Sequence, residues 1–406
     1  MSIMKPDNPD QCISCNICLT ACPVAKATMR YRGPKLTGPA LSRLRKLVSD
    51  EDTMQQYCSN CKNCERVCPS GTPIASLNMK ARYEYFKTHK HSLADHILSN
   101  NEFLGKTVTK IPFLPGLANT AMAAGKKLKS LDLIGISSKA PLPQYAKEDF
   151  YSLYKKVKQP SCEKKILYFP GCYVNYNEPQ VGLDLIKVLN HQGIEVIVDP
   201  RFKCCGSPLI STGFLDKVEK LALHNTDILR NYAVQGYDIL TTCTTCALIL
   251  KQEYRELFNL DRIAEAYAPK LYDALEYLCL LADENKLKTD FNPVNLKLIY
   301  HTPCHLKIQG YGRPVFKLLP KIPGITIEDA NAGCCGLSGV YGYKKETSHI
   351  AKLVGSELKA KILNSSADLG ICECNICRLQ MQNGTNKKAV HPLRILCKSY
   401  FPNENY

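Results

Sequence analysis

Cysteine offers the most chemistry in this sequence: 22 thiols in 406 residues, most of them at spacings that suit metal ligation. Two runs near the start read Cys12-x2-Cys15-x2-Cys18-x3-Cys22-Pro23 and Cys58-x2-Cys61-x2-Cys64-x3-Cys68-Pro69. Three thiolates so close together can cap one face of a cubane iron–sulfur cluster, while the fourth, followed by proline, turns toward a neighbouring cluster. The pattern predicts crossed ligand sets for two [4Fe-4S] clusters: Cys12, Cys15, Cys18 and Cys68 for one, and Cys58, Cys61, Cys64 and Cys22 for the other. Four-cysteine zinc sites share the Cys-x2-Cys spacing. The doubled run with its two prolines favours iron–sulfur.

Ten more cysteines form a repeat. Cys172, the pair Cys204-Cys205-Gly206 and Cys243-x2-Cys246 recur as Cys304, Cys334-Cys335-Gly336 and Cys374-x2-Cys377, each about 131 residues further on. Adjacent thiolates can hold neighbouring irons at once, and the glycine lets the backbone turn sharply beneath a bulky group. Zinc in one or both units, or buried free thiols, are the other readings, although four tetrahedral thiolates on zinc would leave one of five over. Cys372 adds a sixth thiol beside the second set, which leaves the ligand assignment there less certain. Cys162, Cys279, Cys372 and Cys397 are expected to be small buried hydrophobes.

These ligands need elements to position them. The run Lys165-Ile-Leu-Tyr-Phe169 reads as a strand and Pro179 to His191 as a helix, which implies alternating α/β architecture. Leu-Tyr-Phe-Pro-Gly-Cys172 and Leu-Ile-Tyr-His-Thr-Pro-Cys304 each predict a strand running into a cysteine-bearing turn. The expected fold class is α+β multidomain: a helical-type ferredoxin domain with two clusters over 1–82, a helical connector over 83–160, and duplicated α/β cysteine-rich units over 161–293 and 294–406. The 35 residues between the N-terminal runs exceed a compact ferredoxin loop and should hold helices, one of them around Leu41 to Val48.

Composition narrows the function. With 45% apolar and 22% charged residues the chain can bury ordinary cores. The polar stretch from Met1 to Pro9 does not read as a signal peptide, so the thiols are expected to stay reduced. Ile111 to Gly125 is uncharged but interrupted by Pro112 and Pro115, and falls short of the roughly 20 apolar residues a membrane span needs. No transmembrane helix is expected. The net charge of +16 is spread over the chain with no aromatic-basic recognition motif, which argues against nucleic acid. Lys106, Lys110, Lys126, Lys127 and Lys129 surround the apolar Ile111 to Ala124 segment, with Leu128, Leu131, Leu133 and Ile134 following. Such a stretch suits an anionic membrane surface, a docking site for partner subunits, or a solvated face over packed helices.

No G-x-G-x-x-G stands between a strand and a helix, and Gly333 to Gly342 has the wrong spacing. Gly105-Lys106-Thr107 fails as a phosphate loop because Asn100 stands where glycine is required. No catalytic residue stands out, and the chain is expected to move electrons rather than transform a metabolite. His301 and His305 flank Cys304 and are expected to be satisfied within the core, with a hydrogen bond to a cluster as the rival role.

The C-terminal spacing resembles the cysteine-rich "CCG" domains of the heterodisulfide reductase B subunit, glycolate oxidase iron–sulfur subunits and lactate-utilisation proteins. That resemblance implies a non-cubane [4Fe-4S] cluster on the five cysteines of each unit. The flanking residues narrow it. Phe169-Pro-Gly-Cys-Tyr-Val-Asn-Tyr-Asn177, Cys204-Cys-Gly-Ser-Pro-Leu-Ile210, His301-Thr-Pro-Cys-His305 and Cys334-Cys-Gly-Leu-Ser-Gly-Val-Tyr-Gly-Tyr-Lys-Lys-Glu346 are similar to the C subunit family of anaerobic glycerol-3-phosphate dehydrogenases. The likeness runs from Cys12 to His391-Pro392 and is weakest in the connector. It implies a flavoprotein catalytic subunit as partner, membrane quinone as electron acceptor, and peripheral attachment at the cytoplasmic face of the membrane. The rival readings are an iron–sulfur subunit serving lactate or glycolate oxidation or disulfide reduction, and a zinc-stabilised scaffold or membrane adaptor.

Overall fold

In the computed structural model, residues 3–47 and 54–403 are described, so Val48 lies outside the described residues. Among the described residues, eight short strands form two four-stranded parallel sheets. The first holds β1 (Lys164–Phe169), β2 (Ile194–Ile197), β3 (Asp238–Thr241) and β4 (Leu271–Asp273) in the order β2-β1-β3-β4. The second holds β5 (Leu296–Tyr300), β6 (Ile325–Asp329), β7 (Leu369–Ile371) and β8 (Ala389–Val390) in the order β6-β5-β7-β8. The two topologies are identical, as the cysteine repeat predicts. The expected strand at Lys165 and helix at Pro179–His191 are both present.

The central strands are apolar because both faces are covered: Ile166, Leu167, Tyr168 and Phe169 of β1 are buried, as are Leu298, Ile299 and Tyr300 of β5. One core cluster spans both units. Tyr168, Leu185 and Leu278 from the first pack in the same cluster as Tyr300, Leu393 and Leu396 from the second. The helix Pro179–His191 lies against the C-terminal helix Pro392–Tyr400, with the Arg394 guanidinium 2.8 Å from the Asp184 carboxylate.

The N-terminal region is helical, as its long inter-run spacing predicts. Short helices at Ile17–Ala21, Pro23–Ala27, Leu41–Leu47 and Asn63–Arg66 surround the cysteine runs, and the longer helix Ile74–Thr88 continues unbroken through residues 82 and 83. The connector adds helices Leu93–Ser99, Asn101–Lys110 and Leu114–Lys127. The Gly105 that fails as a phosphate-loop glycine has a packing role. A Cβ there would lie 2.4 Å from the Tyr176 ring, so only glycine lets the helix Asn101–Lys110 press against the first sheet unit.

A buried charge cluster joins the N-terminal region to the first unit. Lys62, fully buried in the loop between Cys61 and Cys64, lies 2.8 Å from the Glu65 carboxylate, 2.5 Å from Glu256 and 3.8 Å from Glu253. Burial pushes the Glu253 carboxyl up to about 7, even though Lys62 pulls it down. Removing the cation from among these carboxylates is costly: Lys62→Met should destabilise the docked N-terminal region by about 3–5 kcal/mol, measured by chemical denaturation. Glu253 starts from an ordinary value of about 4.3 in the unfolded chain. Its contribution to stability is therefore full below that value and lost as pH rises through about 7. Stability measured against pH should fall less steeply across that window in Glu253→Gln than in the unsubstituted protein.

Candidate metal centres

The two N-terminal loops share an unusual backbone. Ser14 and Asn60, each just before the second cysteine of its run, have φ of 60° and 52°; Asn16 and Lys62, each just after it, have φ of 65° and 56°. Left-handed conformations cost a non-glycine residue roughly 1–2 kcal/mol each. Their repetition at matching positions gives the two loops the same curl, a kind of backbone turn whose N–H groups can form a concavity for anionic groups such as iron–sulfur clusters. Cys22, Cys58, Cys61 and Cys64 line one small cavity together with Val24 and Tyr31. Cys12 and Cys15 act on Cys18 electrostatically, and Cys18 packs with Cys64, Ile74 and the partly buried Cys68.

The two groups differ in exposure. Cys15 is exposed and Cys12 and Cys68 half-buried, whereas Cys22, Cys58, Cys61 and Cys64 are all buried. Burial pushes the Cys22 thiol up to about 11, so at neutral pH its proton yields only to a bound cation. Cys68 goes the other way. Its sulfur accepts the Thr72 N–H at 3.4 Å and lies 3.4 Å from the Ser70 hydroxyl, and these bonds outweigh burial and lower the thiol. Arg82, buried in the helix Ile74–Thr88, donates to the Cys58 carbonyl at 2.7 Å and so holds the second loop in place. No sequence signal marks it, because the arginine is many residues from the loop it supports.

In the sheet units all the repeated cysteines follow the carboxyl ends of the first three strands, where α/β sheets bind their ligands. Cys172 and Cys304 sit in the first turn of short helices after β1 and β5; the vicinal pairs follow β2 and β6, and the Cys-x2-Cys pairs follow β3 and β7. Sulfurs approach in pairs: Cys172 and Cys204 at 3.5 Å, Cys205 and Cys246 at 3.5 Å, Cys335 and Cys377 at 3.3 Å. The sulfurs of Cys204 and Cys334 each accept the N–H of the nearby glycine, Gly206 or Gly336, at 3.4 Å. Hydrogen bonds from Cys172 and Cys205, and from Cys304 and Cys335, hold these two thiols well below the usual range. Among the described residues no three histidine, cysteine or acidic side chains gather at the spacing of a single metal ion. Paired sulfurs suit a multi-iron group, whose ligands are spread over several irons.

The two units open onto one cavity of about 150 Å³. Cys172, Cys205, Cys243 and Cys246 line it from one side, and Cys304, Cys335, Cys374 and Cys377 from the other. The connector closes it with Leu98, Leu142, Pro143 and Tyr145, so this segment belongs to the site; its lack of cysteine gave no sign of that. Asn375, inside the second Cys-x2-Cys, brings its side-chain oxygen to 4.0 Å from the Cys243 sulfur across the cavity.

Two expectations need correction. Cys162 is half-buried rather than buried; its sulfur lies near the Pro160 carbonyl in the loop before β1, outside the core. Cys279, Cys372 and Cys397 are buried as expected, with Cys372 against Cys377. The histidines are not alike: His305 is bonded through both ring nitrogens, whereas neither nitrogen of the buried His301 has a hydrogen-bond partner among the described residues. His301 is therefore not satisfied within the core: burial shields both nitrogens from water and lowers the ring's basicity, and no group among the described residues reaches either nitrogen.

A dicluster iron–sulfur domain joined to two cysteine-rich domains defines the class of this protein. The family model for a 4Fe-4S dicluster domain matches residues 8–72, and that for the CCG cysteine-rich domain matches 166–251 and 298–382. The chain is 37% identical over 401 residues to the C subunit of anaerobic glycerol-3-phosphate dehydrogenase of Escherichia coli strain K12, covering 98% of this chain and 100% of that one. It is 29% identical over 399 residues to the B subunit of fumarate reductase (CoM/CoB) of Methanothermobacter marburgensis, covering 95% and 70%. It is 25% identical over 245 residues to lactate utilization protein A 2 of Bacillus cereus, covering 58% and 98%. The chain belongs to the C subunit family of anaerobic glycerol-3-phosphate dehydrogenases, and is an iron–sulfur subunit of a dehydrogenase or reductase complex.

The glycines behind the vicinal pairs test how tightly each unit is built. Gly206 and Gly336 both have φ of +89°, but a Cβ would lie 3.3 Å from a Val218 methyl at the first and 2.1 Å from the Ala351 carbonyl oxygen at the second. Gly336→Ala should therefore abolish metal loading of the second unit, while Gly206→Ala costs about 1–2 kcal/mol and retains it. Iron per chain after anaerobic purification distinguishes the two.

Proposed function

We propose that this chain carries electrons from a flavoprotein that oxidises glycerol-3-phosphate to quinone in the membrane. Bound clusters supply one-electron oxidation and reduction; the chain holds them in series, excludes water and sets their potentials through burial and hydrogen bonds. The ligand sets cross over, with Cys12, Cys15, Cys18 and Cys68 on one cubane cluster and Cys58, Cys61, Cys64 and Cys22 on the other. The gathering of Cys22 with Cys58, Cys61 and Cys64 around one small cavity is the observation that supports this most directly. The five cysteines of each CCG unit hold one further non-cubane cluster. Cys22→Ser and Cys61→Ser should then damage the same cluster, seen as loss of the same electron paramagnetic resonance signal, while Cys18→Ser removes the other. Loss of different signals in Cys22→Ser and Cys61→Ser overturns the crossing.

Electrons enter at the exposed end. Cys15 is exposed, and Ile13, Ile17, Leu19 and Met29 around its loop leave large apolar side chains in solvent, a surface suited to a partner subunit. At the other end, no helix among the described residues is long and apolar enough to cross a membrane. The connector instead exposes Phe103, Ile111, Phe113, Leu117, Leu128 and Leu133, with Phe113 at 93% exposure in the turn between two helices. Lys106, Lys110, Lys127 and Lys129 are exposed beside them, which suits an anionic leaflet into which the apolar side chains insert.

Anaerobically purified protein should contain about sixteen irons, four for each of four clusters, and a flavoprotein oxidising glycerol-3-phosphate should co-purify with it. Iron for the N-terminal pair alone, or a hydroxy-acid oxidase as the partner, overturns the reading. Phe113→Asp with Leu117→Asp should release the complex from vesicles containing anionic lipid without loss of iron; unchanged sedimentation with those vesicles removes the membrane assignment.

A further inference from the structure

Three cysteine-bearing loops meet on one side chain. His305 directly follows Cys304. Its Nε2 lies 2.9 Å from the carbonyl oxygen of Asn60, the residue before Cys61, and its Nδ1 lies 2.9 Å from Oγ1 of Thr245, the residue before Cys246. A carbonyl only accepts, so Nε2 carries the proton and Nδ1 accepts from the Thr245 hydroxyl. One neutral imidazole thus bridges the loops of the N-terminal region, the first unit and the second unit, and it also lines the shared cavity. One turn further on, Gln309 donates to the Thr244 carbonyl at 3.1 Å and keeps this helix against the first unit.

The duplication does not repeat the device. The residue after Cys172 is Tyr173, which lines the cavity from the first unit.

We propose that His305 is the junction through which an electron passes from the group held by the Cys58 run to the group held by the Cys304 set, so that the second CCG centre fills before the first. This rests on the electron-carrying function proposed above. In each transfer the donor group is oxidised by one electron and the acceptor group reduced by one; the flavoprotein partner supplies the electron. No bond of the chain forms or breaks, and His305 keeps its proton. The hydrogen bond from Nε2 to Asn60 completes a short path from Cys61 through the Asn60 peptide and the imidazole to Cys304, and the Thr245 bond fixes the ring in that orientation.

The test uses the anaerobic full-length holoprotein, reduced by a flash of deazaflavin photochemistry and followed by freeze-quenched electron paramagnetic resonance. In His305→Leu, iron and sulfide should stay at the unsubstituted level while the reduced cubane signal persists and filling of the CCG centres slows several-fold. His305→Gln, whose amide can still donate to Asn60, should restore most of the rate. Filling of the CCG centres in His305→Leu at the unsubstituted rate overturns the junction. In Cys304→Ser the first centre should stay oxidised on the same timescale; rapid filling there overturns the order. An unsubstituted protein with iron in the N-terminal pair alone removes the electron-carrying function itself, and the junction with it, which the iron analysis reveals before any variant is compared.

Discussion

Thiolates brought into an apolar interior need cations to neutralise them, and this constraint organises the molecule. The ten repeated cysteines lie at the carboxyl ends of two parallel sheets, and seven of them are buried. Without metal, hydrogen bonds to neighbouring cysteines, burial and mutual repulsion hold most of these thiols protonated. Cys204 and Cys334 are held low instead by hydrogen bonds from Cys172 and Cys304, helped by glycine N–H groups at matching places in the two units, and Cys374 is drawn down to about 7 by its bond with Cys377. The metal therefore contributes to the folding free energy of these loops as well as to their redox chemistry.

The same constraint explains why the two units cannot be independent beads. Each sheet leaves its cysteine loops at one edge, and covering them against water takes the other unit and the connector together. The apolar core runs through both sheets, and polar bridges such as His391 Nε2 to the Thr242 carbonyl, at 3.1 Å, lock the seam. The N-terminal region is attached by apolar packing, with Val24, Tyr31 and Met79 in one core cluster with Leu215, Val218 and Ile350, and also by charge, through Lys62 and its carboxylates and through Arg82, which donates to backbone carbonyls on both sides of the contact. Buried charge of this kind adds little net stability but penalises the loss of either partner strongly.

Much of the architecture is legible in the residues. Vicinal cysteines followed by glycine demand a sharp turn, and both glycines adopt φ of +89°. The apolar runs at Lys165–Phe169 and Leu298–Tyr300 read as strands, and the 35 residues between the N-terminal runs do hold helices. What escaped notice depends on distant partners. Gly105 is read from its neighbours only as a failed phosphate-loop match, and its meaning comes from Tyr176 on another unit. His301 and His305 look alike on either side of Cys304, but one ring has no partner among the described residues and the other bridges two loops, because successive turns of backbone after β5 point them in different directions.

By itself the sequence determined the class of chemistry: cysteine runs at iron–sulfur spacings, a duplicated cysteine-rich unit, and the absence of a nucleotide or phosphate fingerprint. Ligand types and local spacings are set within a few residues, so they survive reading in one dimension. Tertiary structure alone decided that the two repeats face each other across one cavity, that the connector helps to close it, and that Asn60, Thr245 and His305 meet. Those are contacts between segments scores to hundreds of residues apart, chosen by the packing of a common core, and no local pattern encodes them.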